Sequence, residues 1–231
     1  MRALVLLLAL AACGPAEPET VAAERYDSFW LWAGVKPQPV LGRARTLYLL
    51  DGEIRASNPG RYTALRPGIP HLPGRDLWLV VRTDTLAWSE PALPALTVRL
   101  DRWAAAGNRV QGIQLDFDAR TRGLGAYAAF LKDVRTRLPS RYRLSITGLM
   151  DWSANGSPET LSALAGTVDE VVVQTYQGRS TIPGYEAWFR RMRGFPIPFK
   201  VGLVQGGQWH APAHLEHDPN FGGYVVFLLN P

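Results

Sequence analysis

The sequence predicts an α/β protein folded as a compact (β/α)8, TIM-barrel-like domain in which some helices are short or missing. Eight short runs rich in β-branched and aromatic residues are spaced along residues 26–231, and most are separated by stretches of helical periodicity. No glycine-rich phosphate loop of the GxGxxG or GxxxxGK type follows an early strand, which argues against an open doubly wound sheet.

The elements follow in order. Tyr26 to Val35 reads as a first strand, Ala44 to Leu50 as a second and Leu77 to Arg82 as a third. Between the last two lies a Gly/Pro-rich segment with a turn expected at Asp51-Gly52, and Glu53 to Ala56 either pairs back onto Leu47 to Leu50 or forms a loop in place of a helix. Pro91 to Ala106 is a helix with Leu96, Leu100 and Trp103 on one face and Gly107 as its stop. After the fourth strand, Leu124, Tyr127, Ala128, Leu131, Val134 and Leu138 recur at helical spacing until Pro139. Arg143 to Leu149 is the fifth strand, and Ser157-Pro158-Glu159 opens a short helix with proline where a missing N–H costs nothing. Val168 to Tyr176 is the sixth strand, Tyr185 to Arg193 a short helix, Phe199 to Val204 the seventh strand and Gly223 to Leu229 the eighth.

At 231 residues and 47% hydrophobic content, one sizeable core is enough and no second domain is needed. The net charge is +5, but lysine stands only at 36, 132 and 200 and the arginines are scattered. No basic run exists, so no nucleic-acid partner is expected. Residues 1–12 read as a lipoprotein signal peptide: Met1-Arg2 precedes the apolar run Ala3 to Ala12, too brief to span a bilayer. Cys13 is the sole cysteine, so no internal disulfide can form. Leu10-Ala11-Ala12-Cys13-Gly14 resembles the bacterial lipobox, which implies cleavage before Cys13, lipidation there and a membrane partner through that anchor. Residues 13–25 would then be the lipidated Cys and a flexible Pro/Ala/Glu tether, and 26–231 a single domain of an exported lipoprotein of the bacterial cell envelope.

The chain is organised around the stretch Val110 to Arg120, whose apolar run of β-formers leading into Asp116 and Asp118 reads as the fourth strand. Side chains of a strand alternate faces, so Ile113, Leu115 and Phe117 share one face while Gln114, Asp116 and Asp118 share the other. With helices packed outside, the polar row points inward, and its carboxylates reach the C-terminal rim where barrels build active sites.

Four segments carry a resemblance to the chitinase-like barrels of glycoside hydrolase family 18. Gln111-Gly112-Ile113-Gln114-Leu115-Asp116-Phe117-Asp118 lies without a gap on that family's DxxDxDxE motif, and Gln174-Thr175-Tyr176-Gln177 falls on its MxYD motif. Lys200 to Gly207 is similar to its seventh-strand pattern and Gly222 to Phe227 to its last strand. The resemblance implies Asp118 as general acid, Asp116 as orienting partner and Tyr176 as third member of a substrate-assisted glycosidase site. It also implies a polysaccharide or oligosaccharide ligand and no cofactor. Departures stand at Gln111 and Gln114 in place of Asp, Asp118 in place of Glu and Phe227 in place of Trp. Asp is shorter than Glu by one C–C bond, roughly 1.5 Å. A misplacement of about 1 Å costs on the order of a hundredfold in rate. Chitinase activity therefore does not follow, and a non-catalytic carbohydrate-binding barrel is the alternative.

Gln114, Gln174, Trp152, Trp209 and Phe227 are the substrate-binding candidates, since flat rings with polar tips suit sugars. Trp30 and Trp32 read as packing residues. His210, His214 and His217 follow the seventh strand within eight residues, and an i, i+4 pair would present two imidazoles to Zn²⁺, although Pro212 weakens the helix this needs. They support a second alternative, a metal-dependent polysaccharide deacetylase.

Overall fold

The computed structural model describes residues 19–118, 123–152 and 156–230. The expected signal peptide and Cys13 lie outside the described residues. The chain runs β1 (Ser28–Leu31), β2 (Thr46–Arg55), β3 (Asp76–Thr83), α1 (Ala92–Ala105), β4 (Arg109–Asp116), α2 (Leu124–Arg137) and β5 (Arg143–Leu149). It continues through α3 (Pro158–Ala165), β6 (Glu170–Gln174), α4 (Tyr185–Arg191), β7 (Phe199–Val204) and β8 (Phe221–Phe227). Each strand pairs in parallel with the next, and β8 closes onto β1 through Val226↔Phe29 and Phe227↔Trp30. The result is a closed eight-stranded parallel barrel, as the spacing of apolar runs predicts. Among the described residues α-helices are missing between β1, β2 and β3, and 3-10 helices stand between β1 and β2 (Pro39–Arg43) and between β7 and β8 (Leu215–His217).

Alternation along the strands sorts the side chains. Leu77, Leu79, Val81, Ile113 and Leu115 face outward into one core with Leu96, Leu100 and Trp103 of α1 and Tyr127 and Leu131 of α2. Trp30, Tyr48, Leu50, Trp78, Val80, Val172 and Val225 fill the barrel interior. The Trp30 ring leaves no room on β7: a Cβ on Gly202 would lie 2.7 Å from it.

Below the rim the interior also holds a chain of polar contacts. Trp30 Nε1 donates to Gln114 Oε1 (2.5 Å), Gln114 Nε2 to Ser145 Oγ (3.0 Å) and Ser145 Oγ to Glu170 Oε1 (3.1 Å). Tyr48 OH donates to the same Glu170 oxygen (2.6 Å), and Lys200 Nζ donates to Tyr48 OH and lies 3.5 Å from Glu170 Oε2. Within this chain each polar side chain pulled out of water finds a partner, as burial demands.

Two expectations are corrected. Asp51-Gly52 is not a turn: β2 runs through it to Arg55, turns at Ala56-Ser57, and returns as Asn58–Ala64, with Gly52↔Ala64 and Glu53↔Thr63 paired antiparallel. The reason is Asp51, fully buried and held by α1. It accepts from Arg99 Nε (2.8 Å) and Nη2 (2.7 Å), from Trp103 Nε1 (3.1 Å) and from Tyr62 OH (2.5 Å). Gly52 admits the Tyr62 ring where a Cβ would stand 2.4 Å from it. The tether expected over 13–25 is structured from Glu19 onward. Glu19–Thr20 pairs antiparallel with Gln208–Trp209, Val21 exchanges backbone hydrogen bonds with Gly206 and Gly207, and Val21 and Ala23 are buried.

The Asp51–Arg99 pair makes a testable demand on stability. Breaking a buried pair leaves an uncompensated charge and costs about 3–5 kcal/mol. Arg99→Leu is expected to lose on the order of 3 kcal/mol in urea unfolding, with Asp51→Leu/Arg99→Leu recovering part of that loss.

Candidate active site

The strand ends determine what reaches the rim. Asp116 closes β4, in parallel register with Arg82 near the end of β3, while Leu149 ends β5, Gln174 ends β6 and Phe227 ends β8. These residues, with Trp32 just past β1 and Asp118 just past β4, line one cavity of about 540 Å³. Tyr176, Gln177, Gly178 and Ile182 complete it, from a small antiparallel arm in which Tyr176–Gln177 pairs with Ser180–Thr181.

The cavity has an aromatic side and a charged side. Phe227 stacks on Tyr176 (5.5 Å between ring centres) and meets the edge of Trp32 at 5.6 Å. Tyr176 in turn meets Trp30 edge-on at 6.4 Å. The Arg82 guanidinium lies over the Trp32 ring at 5.2 Å, joining the two sides.

Asp116 is the perturbed group. Burial comes first and the neighbouring Asp118 second, and together they push its carboxyl up to about 6; Arg82 and a 3.3 Å hydrogen bond donated by Thr147 Oγ1 pull the other way. Asp118 stands exposed at the mouth. Burial and then the charge of Asp116 hold the Tyr176 phenol well above its ordinary range, so it stays protonated as a donor. Among the described residues the side chains of Tyr176, Gln174, Gln177 and Arg82 donate no hydrogen bond to the protein. Polar tips open to solvent beside an aromatic wall suit a ligand that has both hydroxyls and a flat apolar face. Chemically it can stack a flat ring, bond its hydroxyls, and hold a proton on a carboxyl near neutral pH.

Of the residues singled out in the sequence, Asp116, Asp118, Tyr176, Gln174 and Phe227 come together here. Gln114 does not: it is fully buried one layer below, with both ends of its amide taken by Trp30 and Ser145. Trp152 is not a platform but packs edge-on against Tyr127 behind the barrel. Trp209 is likewise buried, stacked on Tyr185 at 4.5 Å and edge-on to Phe189 and Tyr224. Among the described residues no group of three or more His, Cys, Asp or Glu side chains could hold a metal ion. His214 Nε2 is instead 2.9 Å from the Phe189 carbonyl oxygen, on α4. Trp32, read as packing, is in the lining, and Arg82 and Thr147 went unnoticed. The signal for Arg82 was its place at the end of an apolar strand, two residues after the inward-facing Val80.

The family model of a domain of unknown function, DUF3142, matches residues 74–185, which include the acidic pair and Tyr176. No curated protein matches the sequence significantly. Several solved structures share the fold. The spore cortex-lytic enzyme SleL of Bacillus cereus is similar with a TM-score of 0.51 and 18% identity, over 76% of this chain and 49% of that one. The chain thus spans about half the length of that enzyme. The xylanase and α-amylase inhibitor protein of Scadoxus multiflorus gives a TM-score of 0.55 at 10% identity, over 87% and 92% of the two chains. A tamarind chitinase-like lectin gives 0.53 at 13%, over 87% and 94%. The chain shares with these structures the compact (β/α)8 barrel fold.

The electrostatics are testable by carboxyl NMR. Asp116 is expected to titrate near 6, Asp118→Asn to lower that value by removing a like charge, and Arg82→Gln to raise it. Stability follows with a definite sign. The folded value lies above the ordinary 3.8, so the contribution is fully present below about pH 4 and is lost as pH rises through 6. Full ionisation costs on the order of 2–3 kcal/mol. Asp116→Asn should therefore be more stable than the parent in urea at pH 7.5 and no more stable at pH 4; a gain of equal size at both pH values would contradict this account.

Proposed function

We propose that this barrel binds a polysaccharide or oligosaccharide at its C-terminal mouth and hydrolyses an O-glycosidic bond there. One observation carries the reading: a carboxyl pushed up to about 6 beside a second, exposed carboxylate, in a cavity walled by Trp32, Tyr176 and Phe227. Asp118 acts as general acid, giving a proton to the glycosidic oxygen so that the leaving sugar departs as an alcohol while water replaces it at the anomeric carbon, and Asp116 behind it assists. The protonated Tyr176 hydroxyl and the Gln174 amide orient the sugar. The fold likeness to a cortex-lytic enzyme supports this reading.

A second reading, a non-catalytic carbohydrate-binding barrel, is favoured by Asp118 in place of a longer Glu and by the likeness to a chitinase-like lectin. A related inhibitor structure is a complex with trehalose. The metal-dependent deacetylase has no ligand set among the described residues to support it.

We further propose that the chain is an exported, membrane-anchored lipoprotein of the bacterial cell envelope. The lipobox-like Leu10 to Gly14 supports this.

Reducing-end release from a panel of cell-wall and storage glycans tests the activity. Asp116→Asn and Asp118→Asn should each cut turnover by about a hundredfold or more while ligand is still bound, with parent activity falling as pH rises past 6. Binding without release by the parent protein would select the lectin-like reading. For the anchor, Cys13→Ser in the full chain should move the protein from the membrane to the soluble fraction and abolish incorporation of labelled fatty acid.

A further inference from the structure

We infer that the sugar taken by this mouth is acidic, and that Arg82 selects it by pairing with a carboxylate of a hexuronate unit. The inference rests on the glycan reading above and deepens it.

Arg82 is the basic residue in the cavity lining, standing between Trp32 and Asp116. On β3 it continues the inward face of Trp78 and Val80, so the strand delivers it to the opening rather than to the outer layer. Its guanidinium carbon lies over the Trp32 ring at 5.2 Å, and the residue is exposed at the mouth. Trp32 is itself held edge-on by Phe227. Among the described residues Arg82 makes no ion pair, although Asp116 stands opposite it in register.

This differs from the paired arginines. Arg99 is tied to Asp51 in a two-pronged contact, and Arg55 reaches both Glu53 and Asp84. At the rim, among the described residues, the Arg82 guanidinium has no ion pair within salt-bridge distance, and its charge reaches Asp116 only through space. A guanidinium fork matches a carboxylate in geometry and charge better than it matches a hydroxyl. Gln174 and Gln177 supply neutral partners for hydroxyls on the same lining. The two aspartates would repel a carboxylate placed near them, so the acidic unit sits on the Trp32 side, beyond the bond that is cleaved.

The test uses three probes on the full chain: a hyaluronan hexasaccharide, the same hexasaccharide with its carboxyls reduced to alcohols, and chitohexaose. Calorimetry should show the acidic probe bound at least about tenfold more tightly than its reduced form, with the preference shrinking as salt rises from low to high ionic strength. Arg82→Gln should bind the two forms alike, and Arg82→Lys should keep part of the preference, since it retains charge without the planar fork. Thermal melts of both variants check that the fold is intact. Equal binding of acidic and reduced probes by the parent overturns the proposal and leaves the glycan reading standing. Persistence of the full preference in Arg82→Gln overturns the role of this residue. Binding to none of the three overturns the proposal together with the reading beneath it.

Discussion

A closed barrel of eight strands has an inside that water reaches only at its ends, so each inward polar group must find a protein partner or stop at the rim. That constraint organises this molecule. Gln114, Ser145, Glu170, Tyr48 and Lys200 satisfy it by bonding one another in sequence across the interior. Asp116, two residues past Gln114 on the same face of β4, satisfies it only in part. It has one long hydrogen bond from Thr147 and a second carboxylate nearby, and its raised pKa measures that shortfall. The layer below is paired throughout; the layer above is paired only in part and open to the cavity. The difference between scaffold and site is therefore one step of strand alternation.

The same step places the raised pKa on the inner carboxyl. Resemblance to glycosidases assigns the acid to Asp118, the position of their longer Glu. The structure gives the raised pKa to Asp116, because the strand still encloses it, whereas Asp118 has passed the strand end and is exposed. The inner carboxyl answers to the charges around it: Asp118 raises it and Arg82 lowers it.

Local pattern carried the fold. The eight strands, the buried face of α1 and the two faces of β4 follow from periodicities of 2 and 3.6, which are properties of short windows. Contacts between distant segments did not show. Nothing near Asp51-Gly52 announces that Arg99 and Trp103, some fifty residues on, will hold that aspartate in a continuous strand, so a sequence that looks like a turn becomes an extended arm. The docking of Glu19–Thr20 onto Gln208–Trp209 spans nearly the whole chain and is equally silent. In the site, residues on strands were legible because strand ends have a fixed address in a barrel: Asp116, Gln174 and Phe227. Residues in the loops beyond them were not. Trp152 and Trp209 are buried among other aromatics, and Trp32, which looked like filler, faces the opening.

The docked N-terminal segment also ties the two ends of the argument together. Val21 bonds to Gly206 and Gly207, the residues just past β7, and the chain then enters β1, whose following residue Trp32 carries Arg82 on its face. β1 is the shortest stave, only four residues, and the connection that follows it carries a 3-10 helix (Pro39–Arg43) in place of an α-helix. Its position is instead fixed by pairing on both sides, to β8 and β2, and by the Arg66 guanidinium, which donates to the carbonyls of Leu31 (2.9 Å) and Leu50 (2.8 Å). Arg66 leaves the hairpin arm to do this, and the arm exists because Asp51 keeps β2 extended past the barrel. A buried ion pair on the outside of the barrel thus supports the strand end from which the aromatic wall and its stacked guanidinium project. The chemistry at the rim depends on that support as much as on the acids themselves.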